Sequence, residues 1–339
     1  MNRFYLSISF SLVFCLALFL SGAKAQSYAL RHYDANDGLP SSDVFHAIQD
    51  SKGYIWFATD NGVSRFNGYE FTNYDISDGL AKNTVLEIFE DCKGRIWFIS
   101  ITAKLSYFEN GKIYPFKYNN ILAEEIKIKP VPLKSSFFVD SLDNVFMGIE
   151  GFGIVSISDS GEIKRLGQDE KEPLTSRVYE FPNKKLLVSY YYEYRKKTFL
   201  YIKEKVSIPL KLADLPFRFL KHSFATTLGD NKIIISRGRI IYEIKNYLDV
   251  KKFTNTYTPH WLSKDKENNL WICGRNTGAW RFNKGVLKEN PDLKLLEGYN
   301  VSSVIQDNKH GYWFTTLHNG VYYLPSLNVY YYNQSNGLV

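Results

Sequence analysis

One spacing constrains this chain more than anything else in it. Asp50-x-x-Gly53-x-x-Trp56 returns as Asp91-x-x-Gly94-x-x-Trp97, and again as Asp140-x-x-Asp143-x-x-Phe146, Asp265-x-x-Asn268-x-x-Trp271 and Asp307-x-x-His310-x-x-Trp313. The Asp and the aromatic stand six apart each time. Gly, Asp and Asn, the third residues of four copies, tolerate a left-handed backbone. The spacing predicts a tight turn between two antiparallel strands. The Asp carboxylate accepts turn N–H groups, and the aromatic sits on the second strand, on a face buried between packed sheets.

Each unit continues alike. Asp60-Asn61-Gly62 is a hairpin signal followed by a third strand. Four residues past the turn glycine comes an apolar anchor: Phe66, Ile157, Phe282 and Leu324, with Phe108 in the unit where Lys104 replaces the glycine. A further turn at Asn67-Gly68, Asn110-Gly111, Ser160-Gly161 and Lys284-Gly285 leads into a fourth strand. The second strands begin at residues 55, 96, 145, 186, 233, 270 and 312, at intervals of 41, 49, 41, 47, 37 and 42. Units of that size built from four short strands are the signature of an all-β chain folded as a β-propeller. The expectation is seven four-stranded blades. The fourth and fifth units lack the Asp and the Trp and rest on apolar pattern alone. The stretches 127–136 and 167–177 read as loops between units.

Closure is expected from the N-terminus, with Tyr28–Tyr33 as the outer strand of the seventh blade. Asn328–Asn333 is then surplus, and residues 334–339 read as the start of a further repeat or a linker, as though the chain were truncated. Residues 1–25 have the Arg3, apolar Phe4–Leu20 and Ala23-Lys24-Ala25 arrangement of a secretory signal peptide. The propeller is expected over 26–333. The net charge is +7, or +5 once Arg3 and Lys24 leave with the signal. On an exported chain that balance serves solubility, and nucleic acid is not an expected partner. Cys15 leaves too, so Cys92 and Cys273 remain, read as two separate buried thiols rather than a disulfide framework.

The stretch DGLPSSDVFHAIQDSKGYIWFATDNGVSRFNGYEFTNY, residues 37–74, resembles the two-component regulator propeller repeat. Units two, six and seven match that pattern well, unit three in part, units four and five weakly. The resemblance implies the periplasmic sensor region of a Bacteroidetes-type sensor histidine kinase. Such a kinase is membrane-anchored at full length, and its kinase chemistry belongs to downstream domains. It also implies a small ligand, with a carbohydrate-derived one the first to test, and downstream sensor-kinase domains or a partner protein as neighbours. A homodimer is an open possibility. A stand-alone periplasmic scaffold for protein or glycan is one alternative, a propeller hydrolase or lyase another.

Residues that recur in every unit hold the blades; a ligand site breaks the symmetry. The six histidines show no metal-ligand spacing, with His310 and His318 read as turn residues at opposite ends of a hairpin. No catalytic trio stands out, so no catalytic, metal or cofactor residue is assigned. Glu124-Glu125 and Asp169-Glu170 read as solvated loop pairs, and Tyr190, Tyr191, Tyr192 and Tyr194 as packing. The loops joining strands two and three share one face with those joining each blade to the next, and rigid scaffolds concentrate binding on such loops. The binding candidates are therefore the non-repeating polar residues there: Asp60, Asn61, Lys104, Arg237, Arg275, Asn276, His318 and Asn319. Lys104 and Arg275 stand where the other units carry more neutral residues.

Overall fold

The structure is a computed structural model. It describes residues 27–126, 130–150, 152–166, 173–180, 186–192, 197–203, 223–229, 232–245, 249–255, 258–328 and 330–331, without the side chains of 27, 166, 173–203, 223, 237 and 330–331. The signal segment, residues 332–339, Asp169-Glu170 and the tyrosine side chains of the fourth unit lie outside the described residues. Two compact units divide the chain, His32–Tyr323 and the two ends. In the latter, β1 (Ser27–Tyr28) pairs antiparallel with β29 (Tyr330–Tyr331).

The large unit is all-β and built of four-stranded antiparallel sheets. After β2 (Arg31–Tyr33), blade one is β3 (Val44–Gln49), β4 (Ile55–Thr59), β5 (Gly62–Phe66) and β6 (Phe71–Tyr74). Blade two is β7 (Val85–Glu90), β8 (Ile96–Ser100), β9 (Leu105–Glu109) and β10 (Lys112–Pro115). Helix α1 (Asn119–Ile126) then precedes blade three, β11 (Pro132–Val139), β12 (Val145–Ile149), β13 (Gly153–Ile157) and β14 (Ile163–Leu166). A three-stranded sheet follows: β15 (Pro173–Glu180), β16 (Leu186–Tyr192) and β17 (Lys197–Lys203). Blade four is β18 (Ser223–Leu228), β19 (Lys232–Arg237), β20 (Ile240–Lys245) and β21 (Asp249–Thr254). Blade five is β22 (Pro259–Lys264), β23 (Leu270–Gly274), β24 (Gly278–Phe282) and β25 (Leu293–Leu295). Blade six is β26 (Asn300–Gln306), β27 (Tyr312–Leu317) and β28 (Val321–Leu324), completed by β2.

Among the described residues there are therefore six four-stranded blades where the sequence reading counts seven. The inner strands close a cycle, with β3 against β7, β7 against β11, β11 against β18, β18 against β22, β22 against β26 and β26 against β3. The three-stranded sheet lies against β11, β12 and β13. It is the fourth unit, which lacks both the Asp turn and the Trp. Two of the expected loops are also partly strand: β11 takes up 132–136 and β15 takes up 173–177. Glu124 and Glu125 lie in α1 rather than a loop, and α1 buries Leu122 and Ile126 against blades two and three.

The second strands IWFAT, IWFIS and LWICG are buried at every position. Both faces of each are covered, which is why they read as apolar runs without alternation. Trp56 packs in a cluster with blade two's Val85, Ile96 and Phe98, and Trp97 with blade three's Val139, Val145 and Met147. Trp271 meets blade six at Tyr312 and Phe314, and Trp313 packs with blade one's Phe57 and Phe66. All four indoles thus face the next blade from equivalent places. Phe146, the fifth aromatic, is only half-buried.

Four of the five Asp turns have the same wiring. One oxygen of Asp50 accepts the N–H groups of Lys52 and Tyr54 at 3.0 and 2.8 Å, and the other accepts the Trp56 indole N–H at 2.8 Å. Asp91, Asp265 and Asp307 do the same for their own turns and for Trp97, Trp271 and Trp313. Gly53, Gly94, Asp143, Asn268 and His310 all have φ between 60° and 92°, as the spacing predicts, the histidine included.

A second repeated device joins the blades. The residue before the Asp of one blade accepts the N–H of the residue after the Asp of the preceding blade. Glu90 accepts from Ser51 at 2.9 and 3.0 Å, and Gln306 from Lys266 at 2.8 Å. At the closing seam Gln49 accepts from Asn308 at 2.6 Å. Blade three carries the apolar Val139 at this position. There Asp143 pairs instead with Lys93 and Arg95 of blade two.

The turn glycines explain why β2 fits as an outer strand. A Cβ on Gly62 would stand 2.4 Å from the carbonyl oxygen of Tyr74 at the end of β6, and one on Gly320 would stand 2.2 Å from that of Tyr33 at the end of β2. The N-terminal strand occupies in blade six the place that β6 has in blade one.

Candidate functional site

The loops after each second strand do meet the loops that open blades. Asn61 Nδ2 donates to Pro40 O at 3.3 Å, Thr84 Oγ1 donates to Asp60 O at 3.1 Å, and Gly62 N–H donates to Asn83 O at 2.8 Å. The backbone N–H of Asn276 donates to Asn300 Oδ1 at 2.8 Å. At the closing seam, His318 N–H donates to Asp43 Oδ1 at 2.7 Å and the imidazole pairs with the same carboxylate at 2.8 Å, while Asn319 O accepts from His32. Asp60, Asn61, Arg275, Asn276, His318 and Asn319 are exposed, and Lys104 is half-buried. Arg237 ends β19, its side chain outside the described residues. Among the described residues no hydrogen bond or ion pair joins any two of the eight, so they mark a face rather than a cluster.

That face has a hollow beside blade two, an open volume of about 520 Å³ lined by Ile76, Leu80, Ala81, Lys82, Asn83, Thr84 and Ile101. Ile76 and Ile101 are exposed, apolar, and unrepeated elsewhere. Ile101 stands on the hairpin that carries Lys104. In that hairpin Ala103, the residue before Lys104, takes φ 57°.

A second cavity, about 220 Å³, opens where blades two and three meet, lined by Arg95, Trp97, Tyr107, Phe116, Lys117, Tyr118, Asp143, Ser158 and Asp159. Arg95 lies over the rings of Trp97 and Tyr107 and holds Asp91 and Asp143. Burial pulls Asp143 toward the neutral acid, but Lys93 and Arg95 outweigh it and hold its carboxyl below the usual range.

The third polar group lies on the inner strands, and the sequence reading misses it. A β-bulge interrupts β3, β7, β22 and β26 at one place, so that His46, Glu87, Trp261 and Ser303 follow it in register. Four different residues thus hold one position, which breaks the symmetry. His46 Nδ1 accepts from Ile88 N–H at 3.2 Å, and its ring lies 4.8 Å from that of Trp261. Lys134, from β11, donates to Phe45 O at 2.9 Å and lies 5.6 Å from the Trp261 ring centre. Both oxygens of Glu87 accept from Ser135 N–H at 3.0 Å. Burial, with Lys134 nearby, lowers the His46 imidazole to about 3. Burial lowers the Lys134 ammonium to about 8, partly countered by Glu87. The one available signal was a charged or aromatic residue just ahead of an apolar strand core, as in FHAI and LEIF.

Cys273 is buried, and burial pushes its thiol up; Cys92 is exposed, against the expectation that both are buried. His310 and His318 do lie at opposite ends of β27, in turns with φ 65° and 76°.

Residues 38–61 match the family model described as two component regulator propeller. The chain carries that propeller repeat. No curated protein matches the sequence. Among solved structures, the chain is similar to the extracellular domain of a B. thetaiotaomicron protein assigned to the hybrid two component systems, with TM-score 0.65 and 15% identity over 88% of this chain and 42% of that one. It is also similar to virginiamycin B lyase from Staphylococcus aureus, with TM-score 0.62 and 15% identity over 88% of this chain and 99% of the lyase. PorZ, a surface component of the type-IX secretion system of Porphyromonas gingivalis, gives TM-score 0.63 and 13% identity over 86% of this chain and 47% of that one. The chain thus spans less than half the length of the two-component relative. These likenesses show the propeller fold. The matched repeat runs from Gly38 to Asn61 and so contains the first blade-opening loop and the whole Asp50 turn.

Proposed function

We propose that this propeller is the extracytoplasmic sensing region of a two-component signal transduction sensor, exported by residues 1–25 and acting without enzymatic chemistry of its own. The observation that carries the reading is the matched repeat, joined to likeness with an extracellular two-component domain. The ligand face is the one bearing the strand two-to-three loops, and the hollow between Ile76 and Ile101 beside Lys104 is the place for a small ligand with an apolar face and an acidic or hydroxyl group. A ligand that fits one arrangement of propeller and downstream domains better than another shifts the balance between them.

The test is a thermal-shift screen of small glycans and acidic sugars on the purified protein, repeated on Lys104→Ala and Arg275→Ala. A ligand that raises the melting temperature of the parent and not of Lys104→Ala supports the reading. A scaffold reading gains if protein partners bind and no small ligand does. The likeness to virginiamycin B lyase over nearly its full length gives the enzyme reading its one specific support. Turnover of any panel member, abolished by substitutions in the same loops, would replace the sensor reading.

A further inference from the structure

We infer that the inner strands form a binding site for a small oxyanion, a carboxylate or its inorganic equivalent, held by Trp261, His46 and Lys134. This site is separate from the loop face and does not depend on the sensing proposal. Trp261 is buried, at 8% exposure, and its indole N–H has no hydrogen-bond partner among the described residues. The four repeated tryptophans each donate to an Asp, so this unmet donor stands out. A buried donor left unpaired is costly, and an acceptor arriving from outside removes that cost.

Two further donors, from different strands, lie against the Trp261 ring. Because His46 Nδ1 accepts from Ile88 N–H, the neutral ring carries its proton on Nε2. The His46 ring lies against that of Trp261 on one side, and Phe224 of β18 supplies an apolar wall, 6.1 Å between ring centres, on another. Lys134 brings an ammonium over the same indole. Lys134 is half-buried. Charge-assisted bonds from an ammonium and two ring N–H groups suit an oxygen anion. Glu87 is the opposing charge. Both its oxygens accept from the Ser135 amide, and its charge sets the expected affinity low.

The test is a titration followed by the ¹⁵N-indole resonances of the six tryptophans, with Trp261 assigned by Trp261→Phe. Sodium acetate and sodium phosphate are added at ionic strength held constant with sodium chloride. The expected result is a saturable downfield shift of the Trp261 N–H. Acetate alone marks a carboxylate site; phosphate alone marks an inorganic one. Lys134→Met is expected to weaken binding about tenfold, with the other indole resonances staying dispersed as the check on folding, and Lys134→Arg to retain it. An unmoved Trp261 resonance means a bound water only and overturns the inference. An equal shift from chloride, or an unchanged titration in folded Lys134→Met, overturns it as well.

Discussion

A carboxylate that takes two turn amides on one oxygen and an indole N–H on the other has little capacity left for a second task. That is the position of Asp50, Asp91 and Asp307, each buried. Asp50→Asn keeps an oxygen for the turn but turns an NH₂ toward the Trp56 N–H. Loss of stability on the order of 3 kcal/mol is expected by chemical denaturation. Asp140→Asn should cost less, because Asp140 holds Asn144 rather than an indole. Equal losses would show that the indole bond contributes nothing. The spacing made these residues legible. The bond itself was not, because a turn aspartate and a buried indole each have a sufficient explanation alone. His46 gives a pH prediction. Its folded-state value, about 3, lies below the ordinary 6.5, so the unfolded chain binds the extra proton between these limits. Stability is therefore full above pH 6.5 and falls as pH drops toward 3, by on the order of 3–5 kcal/mol from this group. The charges facing it are Lys134 and, one strand away, Glu87. His46→Gln should flatten that part of the curve; an unchanged slope would place the dependence elsewhere.

At the scale of elements, the seams are not all alike. Three of them use a side-chain acceptor one residue before the Asp, and the seam between blades two and three uses an ion cluster instead. Asp143→Asn should therefore lower the melting temperature at low salt and much less at about 1 M salt, whereas Glu90→Ala should cost about 1–3 kcal/mol with little salt dependence. Identical salt responses would contradict the distinction. Gly320→Ala is expected to destabilise strongly, since φ is 64° and the new Cβ meets Tyr33 O. Its signature is faster exchange of the amides of β2 and β28 before other blades open. Most strands were readable from apolar runs between turn residues. Those misread as loops, 132–136 and 173–177, begin at prolines and carry polar residues. In β11 three extra residues lie within the bulge between Pro132 and Phe137, which the pattern could not place.

Across the whole molecule, repetition made the fold readable and also led to the overcount. Seven units were inferred by spacing, yet among the described residues the fourth shows three strands where the others show four. The candidate site was legible as a face, because loop positions follow from strand order, but not as a cluster, because the ring keeps those loops apart. The axial residues escaped notice because a lone His or Trp in a strand has a bland explanation until four strands are aligned around a bulge. The N-terminal strand leads to one further expectation: a chain beginning after Tyr33 leaves the β28 edge unpaired and should associate or melt at markedly lower temperature. A monomer of unchanged stability by light scattering and calorimetry would refute it.

The seam that closes the ring, Gln49 to Asn308, has the same bond as the seam inside the chain at Glu90 and Ser51. Nothing in its chemistry records that one partner comes from blade one and the other from blade six. A gene rearranged to start at a different blade, with the old ends linked, should yield the same toroid, so the order of blades in the message is history rather than a structural requirement.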